Sequence, residues 1–244
     1  MENPLRAIIW DYDCTLANTW HKNMIVTRKI VSSITGEDTR HIPALTSVEA
    51  YRRAAARLGD WRTFYMEEFG LTAAQTNEAG KSWTAFQLQE ITPVEIFDGL
   101  KNVLHTLSHI PHGVVSLNSK AEISQTLDKE DLAHYFKHIV GYEDVAFDRQ
   151  KPEPDALLLC IEQMLGSTPG LVLYIGDHEV DAACVVNANT ILQQHNIDIR
   201  IRSIGAFYGC CSNIDTWAVK PDYHADTTTD IIKIVHALDL QQPL

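Results

Sequence analysis

No apolar run in the sequence is long enough to cross a bilayer as a helix. The first residues, MENPLRAIIWDYD, lack a basic stretch followed by a long apolar segment and a small-residue cleavage site, so no signal peptide is expected. Positive charge is scarce: 20 Lys and Arg stand against 32 Asp and Glu, a net charge of −12. A chain that acidic is poorly suited to nucleic acid or to an anionic membrane surface, and neither is expected as a partner. An anionic substrate would need local help, from a metal ion or a few well-placed cations. The five cysteines, at positions 14, 160, 184, 210 and 211, are an odd number without metal-site spacing. Reduced thiols in a cytoplasmic protein are the expected state, with a structural or incidental role for the Cys210–Cys211 pair. Internal repeats and low-complexity linkers are absent too.

What the sequence does contain is an ordinary core. At 244 residues and 45% hydrophobic content it can hold one large domain, or a core with a smaller insertion. Apolar runs at 7–10, 113–117, 171–175 and 202–207 read as buried parallel strands. Helical patterns lie at 121–132, 155–165 and 180 to about 194. This alternation predicts an α/β fold, a Rossmann-like parallel sheet flanked by helices and built from right-handed βαβ units. Residues 19–92 break the rhythm with several helices and no convincing strand. Two of those helices have capping-box patterns, Thr46 with Glu49 and Thr72 with Gln75, and Gly36, Pro43, Gly59 and Gly70 punctuate the stretch. The segment is expected to be a small all-helical cap inserted after the first strand, with residues 1–18 and 93–244 forming the catalytic core. Entry and exit near that strand's carboxyl end would let it close like a lid.

The stretch AIIWDYDCTLANT is unusual because a buried strand ends in two carboxylates, Asp11 and Asp13. Ligands of open α/β sheets bind beyond the carboxyl ends of the strands, and other ends here carry suitable groups. GVVSLNSK brings Ser116 and Asn118, followed by a capping pattern of Ser119 with Glu122. DRQKPEPD brings Lys151 ahead of a helix, and YIGDHEVD brings Asp177 and Asp181. Each has an ordinary explanation alone: an Asx turn, a cap neighbour, a solvated lysine, carboxylates favouring a helix N-terminus. Together they describe one chemistry. Converging carboxylates need a hard cation, and Mg²⁺ takes oxygen ligands together with a substrate phosphate. One carboxylate can attack phosphorus, and a second, two residues on, can protonate the leaving oxygen and later deprotonate water. A serine hydroxyl, a helix N-terminus and a lysine suit the remaining phosphoryl oxygens.

These segments resemble the four motifs of the haloacid dehalogenase-like (HAD) superfamily, nearest its phosphoglycolate phosphatase-like and β-phosphoglucomutase-like members. DYDCTL resembles the DxDGTL motif, and GVVSLNSK the strand ending in Ser or Thr. KPEPD resembles the lysine motif, and YIGDHEVD the GDxxxD motif. The resemblance implies a Mg²⁺-dependent phosphatase acting on a small phosphorylated metabolite. Asp11 would be nucleophile and Asp13 general acid/base. The metal would take the Asp11 and Asp177 carboxylates and the Asp13 carbonyl, with Asp181 supporting it from behind. Ser116, Asn118 and Lys151 would hold the phosphoryl group, and Thr15 would steady the loop by a hydrogen bond near Asp13.

Several positions depart from that pattern. Cys14 stands where Gly is usual, Asn118 comes one position later than the frequent Asn, and residues 189–200 make a longer link than usual. The dehalogenases of the superfamily lack an acid at the place of Asp13, which argues for phosphoryl transfer. A phosphomutase, or a protein that only binds a phosphometabolite, remains open. The mutase branch often carries two adjacent acids where this chain has Gly176–Asp177. Arg52, Arg53, Arg57 and Arg62, with Trp61 among them, offer cap cations that could take a carboxylate or second phosphate of the substrate, with a solvated helix face as their ordinary explanation. His178, beside Asp177, is expected to be an exposed loop residue, with contact at the site edge as the alternative.

Overall fold

The computed structural model describes residues 3–58, 61–209 and 214–239; Gly59, Cys210 and Cys211 lie outside them. Along the chain these form strand β1 (Leu5–Trp10), β2 (Ala17–Asn18), helices α1 (Trp20–Thr35), α2 (Val48–Leu58), α3 (Trp61–Phe69) and α4 (Ala73–Gln89), then β3 (Glu95–Ile96), α5 (Leu100–Thr106), β4 (His112–Val115), α6 (Lys120–Lys129) and β5 (Phe136–Val140). After these come α7 (Asp155–Leu165), β6 (Gly170–Gly176), α8 (Glu179–Gln194), β7 (Ile199–Ala206), β8 (Tyr223–Ala225) and α9 (Thr228–Asp239). The chain divides into two compact units, residues 1–17 with 96–244, and residues 18–95. It passes between them through the short β2–β3 pair.

The first unit is an α/β layer around a six-stranded sheet in the order β5-β4-β1-β6-β7-β8, with every pair parallel. β1 and β6 read as continuous apolar runs because both of their faces are covered. On one face Ala7, Ile9, Val172 and Tyr174 pack with Leu157, Ile161, Val185 and Leu192 of α7 and α8. The registers Trp10↔Val114 and Trp10↔Ile175 end the three central strands at one level. Asp11, Ser116 and Asp177, the residues that follow them, therefore lie at the same edge.

Two strands of the six-stranded sheet escaped the sequence reading, as did the two-residue strands β2 and β3. β5 and β8 are edge strands of five and three residues, too short and too mixed in polarity to stand out. The run at 113–117 forms a strand only to Val115, because the following backbone turns to begin α6. The long link expected at 189–200 is half helix: α8 continues to Gln194, as its pattern predicted, and β7 begins at Ile199. Asn189 then ties its last turns to β7, donating to the Ile201 carbonyl and accepting from the Ile201 amide, both at 2.9 Å.

The second unit packs α1 to α4 around an aromatic group in which Phe64 meets Tyr51 and Phe69 edge-on at 5.2 and 5.0 Å. Three of its buried hydroxyls satisfy each other: the Tyr65 hydroxyl donates to Thr27 Oγ1 at 3.2 Å, and Thr27 shares a 3.0 Å hydrogen bond with Tyr51. Thr72 and Gln75 form the expected capping box. The other expectation shifts by one residue: Ser47, not Thr46, accepts from the Ala50 amide, because Thr46 Oγ1 is turned back to the Pro43 carbonyl at 2.8 Å. Of the arginines, Arg53 and Arg57 pair with Glu49 and Glu68. Arg52 lies over the Trp20 ring and Arg62 over the Trp61 ring.

His112, the first residue of β4, is 1% exposed. Its Nδ1 accepts from Trp10 Nε1 at 3.0 Å, so the proton sits on Nε2 and donates to the Leu107 carbonyl at 3.1 Å. Burial lowers its pKa from 6.5 to about 4, against the opposing carbonyl hydrogen bond. Because the folded value is the lower one, this stabilisation is complete above pH 6.5 and is lost as pH falls toward 4. Unfolding in urea at several pH values should show a His112 contribution of about 3 kcal/mol disappearing over that window. His112→Gln, which keeps both hydrogen bonds without a titrating ring, should remove that part of the pH dependence.

Candidate active site

The centre is built where β1 gives way to its loop. Asp11, 6% exposed, follows Trp10 and donates its amide to the Ile175 carbonyl at 2.7 Å, extending the sheet by one residue. The chain then turns sharply: the Leu16 and Ala17 amides both reach the Tyr12 carbonyl at 3.0 Å, and the Cys14 amide donates to the Ala17 carbonyl at 2.8 Å. The turn requires a left-handed residue, and Cys14 supplies it at φ 60 despite its side chain. That is a physical reason for glycine to be the usual residue there. Tyr12, between the two aspartates, is fully buried and anchors the turn by donating to Thr126 Oγ1 of α6 at 2.8 Å.

Lys151 comes from the loop before α7, where its peptide bond to Pro152 is cis. It is not a solvated lysine: its side chain is 4% exposed. An ammonium has three protons, and here each has an acceptor: Asp11 Oδ1 at 2.8 Å, Asp181 Oδ1 at 2.7 Å and the Tyr174 hydroxyl at 2.8 Å. Burial acts to lower the Lys151 pKa, but Asp11 and Asp181 overcome it and hold the group well above its ordinary value. Lys151 is a fixed cation.

Asp181, on the first turn of α8, uses both oxygens. One accepts from Lys151, and the other accepts from the His178 amide at 3.2 Å, closing the cap of the helix. His178 itself caps α8, its Nδ1 accepting from the Val180 amide at 3.2 Å, so it is a half-buried capping residue, not the exposed one expected. Asp177 accepts from Thr15 Oγ1 at 3.2 Å. Thr15 thus bonds to Asp177, whereas a partner near Asp13 was expected; the sharp turn after Tyr12 brings its hydroxyl across to β6. Ser116 is buried and accepts from the Asn118 amide at 3.2 Å. The Asn118 side chain donates to Asp13 Oδ2 at 3.0 Å, and Ser119 caps α6 by accepting from the Glu122 amide at 3.2 Å.

Asp11, Asp13, Thr15, Ser116, Asn118, Lys151, Asp177 and Asp181 therefore converge on one edge of the sheet, whereas the cap arginines belong to the other unit. Two more join them that the sequence reading missed. Tyr174 lies beneath Lys151, and Tyr208 donates its hydroxyl to the Thr15 carbonyl at 2.8 Å. A phenol in the otherwise aliphatic strand LVLYIG was the available signal, since a buried Tyr hydroxyl requires a partner. No comparable signal marks Tyr208.

The family model for haloacid dehalogenase-like hydrolases matches residues 8–192. The chain belongs to that family. Among curated proteins, the phosphoglycolate phosphatase of Escherichia coli K12 is 36% identical over 72 residues, 30% of this chain and 27% of that protein. The corresponding protein of Salmonella paratyphi A is 35% identical over 120 residues, 49% of this chain and 42% of that one. The chain thus spans less than half the length of these curated relatives. A haloacid dehalogenase-like family hydrolase from Streptococcus pneumoniae has the same fold, with a TM-score of 0.68 at 15% identity, covering 94% of this chain and 98% of that one.

In this haloacid dehalogenase-like chain, Asp11, Asp177 and Asp181 bring carboxylate oxygens within 4.8 Å of one another, all buried. One ammonium does not balance three carboxylates. Burial, together with Asp11 and Asp181, pushes the Asp177 pKa well above its ordinary value. Burial likewise lifts Asp11 to about 7, against the lowering effect of Lys151. An all-oxygen donor set with surplus negative charge fits a hard divalent cation such as Mg²⁺.

Gly176 makes this packing possible, because a Cβ there would overlap the Asp181 carboxylate. That carboxylate cannot swing away without abandoning Lys151, Tyr174 and the cap of α8. Gly176→Ala should therefore destabilise the fold by about 1–3 kcal/mol in equilibrium unfolding, although alanine suits a strand better than glycine.

Proposed function

We propose that the protein is a Mg²⁺-dependent phosphatase that hydrolyses a small phosphomonoester through a phosphoaspartate on Asp11. The observation that carries this reading is the buried Asp11 carboxylate held at 2.8 Å by the Lys151 ammonium, with Asp13 two residues on and bonded to Asn118. Lys151 holds one oxygen of Asp11, which orients the other toward an incoming phosphorus atom. As the Asp11 oxygen bonds to phosphorus, the bond to the leaving oxygen breaks, and Asp13 gives that oxygen a proton. The leaving alcohol departs. Asp13, now a carboxylate, takes a proton from water as the water oxygen bonds to phosphorus. The phosphorus–Asp11 bond breaks, releasing phosphate and restoring the Asp11 carboxylate. Ser116, Asn118 and the start of α6 supply donors to the equatorial oxygens. The Asp11 and Asp177 carboxylates and the Asp13 carbonyl would hold Mg²⁺, which supplies Lewis-acid stabilisation of the transferring charge.

Three considerations support this reading over its neighbours. Asp13 has no counterpart in the carbon-halide displacing members of the family. Asp181 packs so closely on Gly176 that no second acid fits beside Asp177, which speaks against the mutase arrangement. A protein that only binds phosphometabolites would need Lys151 but not a carboxylate on it. Phosphoglycolate, named for the curated relatives, is the first substrate to test.

The decisive assay is phosphate release from p-nitrophenyl phosphate with Mg²⁺ or with chelator. Wild type should release phosphate only with Mg²⁺, and Asp11→Asn should bring release down to background. Asp13→Asn should slow it by about 10²- to 10⁴-fold, the usual contribution of a general acid. Release that survives Asp11→Asn would rule out the assigned nucleophile. Protons compete with the cation for Asp11, whose pKa lies at about 7. The Mg²⁺ concentration for half-maximal activity should accordingly rise as pH is lowered through 7.

A further inference from the structure

Lys151 carries a flexible four-carbon stem and a compact charge, and two carboxylates pull on it from different elements. Asp11 lies at the end of β1 and Asp181 in the first turn of α8, at 2.8 and 2.7 Å from the ammonium. Two contacts leave an ammonium free to pivot about the line that joins them. The third contact removes that freedom, and it comes from Tyr174 of β6, 1% exposed, whose hydroxyl lies 2.8 Å from the lysine nitrogen. An ammonium only donates, so the phenol oxygen must accept from it and turn its own proton elsewhere. Two acceptors are within reach of that proton: the Val115 carbonyl at 3.1 Å and Asp181 Oδ1 at 3.2 Å. Val115 immediately precedes Ser116. The phenol therefore spans the lysine loop and the end of β4, from a strand backbone that cannot shift without breaking its register with β1 and β7.

We propose that Tyr174 is a positioning residue, which seats the Lys151 ammonium on Asp11 and fixes it relative to the Ser116 end of β4. Its effect on turnover rests on the phosphatase reading above; its effect on the lysine does not. Without the hydroxyl, one proton of an ammonium whose side chain is 4% exposed loses its acceptor, and the lysine seeks another orientation. Asp11 is then held less often in the attacking geometry. Substrate binding draws on Ser116, Asn118 and the start of α6, not on the Lys151 ammonium the sequence reading also expected there, because its three protons are already taken; it changes little.

The test is Tyr174→Phe in the full chain, read in two ways. The first is the lysine ammonium region of a ¹⁵N-labelled spectrum, with the Lys151 signal assigned from its absence in Lys151→Arg. An ammonium held by three acceptors exchanges its protons slowly and gives a sharp signal. That signal should be present in wild type and be lost in Tyr174→Phe. It should persist in Tyr65→Phe, which removes a buried hydroxyl from the other unit. The second is turnover of p-nitrophenyl phosphate with Mg²⁺: kcat should fall about tenfold, the size of one hydrogen bond to a charged group, with KM within about twofold. A wild-type protein without a slowly exchanging Lys151 signal overturns the proposal whatever the variant does. So does a Tyr174→Phe protein that keeps both the signal and wild-type kcat. Loss of the signal in a protein that releases no phosphate would uphold the seating of Lys151 and overturn the phosphatase reading instead.

Discussion

A lysine ammonium at 4% exposure is tolerable only when each of its protons has an acceptor, and meeting that condition draws the centre together. The acceptors come from the end of β1, the middle of β6 and the first turn of α8, and the lysine itself from the loop before α7. Their convergence depends on a parallel sheet whose central strands end at the same level, with the following helices starting just beyond. Gly176 allows Asp181 to lie directly on the strand end, where it serves both the lysine and the cap of α8. Removing the ammonium would leave buried like charges facing each other, so the same contact supports the fold and the site.

The two carboxylates of the DxD pair differ through their surroundings. Asp11 is buried against the lysine and shares its neighbourhood with Asp177 and Asp181, so its ionised form depends on nearby cations. Asp13 is only half-buried and meets the neutral amide of Asn118. A nucleophile must stay ionised and still, whereas a proton shuttle must face solvent and leaving group in turn. The different environments of two residues so close in sequence match that division of labour. Tyr12 between them is buried in the opposite sense, as an anchor on α6.

Much of this was legible in the residues themselves. Alternating apolar runs and helical patterns named four of the six strands of the sheet and the helices α6, α7 and α8 but not α5, because strands covered on both faces read as continuous hydrophobic runs. The edge strands β5 and β8 did not, because a short strand paired on one side needs little apolar sequence to form. The candidate site was recognisable as a set, since a strand ending in carboxylates has few purely structural explanations. Single residues were less readable. Taken alone, Lys151 looked like an ordinary surface lysine and only the full motif set assigned it to the site, and Thr15 was expected beside Asp13 instead of Asp177.

The sequence by itself determined the order of the main strands and helices, the acidic character of the chain and the identity of the candidate reactive groups, because these depend on local pattern and on side-chain chemistry. Tertiary structure alone decided which group serves which. Lys151 and Asp11 are 140 positions apart, and no local rule states that Tyr174 and Asp181 will meet the same ammonium. That outcome follows from strand order and register, which are set by packing across the whole sheet. A buried charge then selects its partners from whatever the packing has brought within hydrogen-bonding distance.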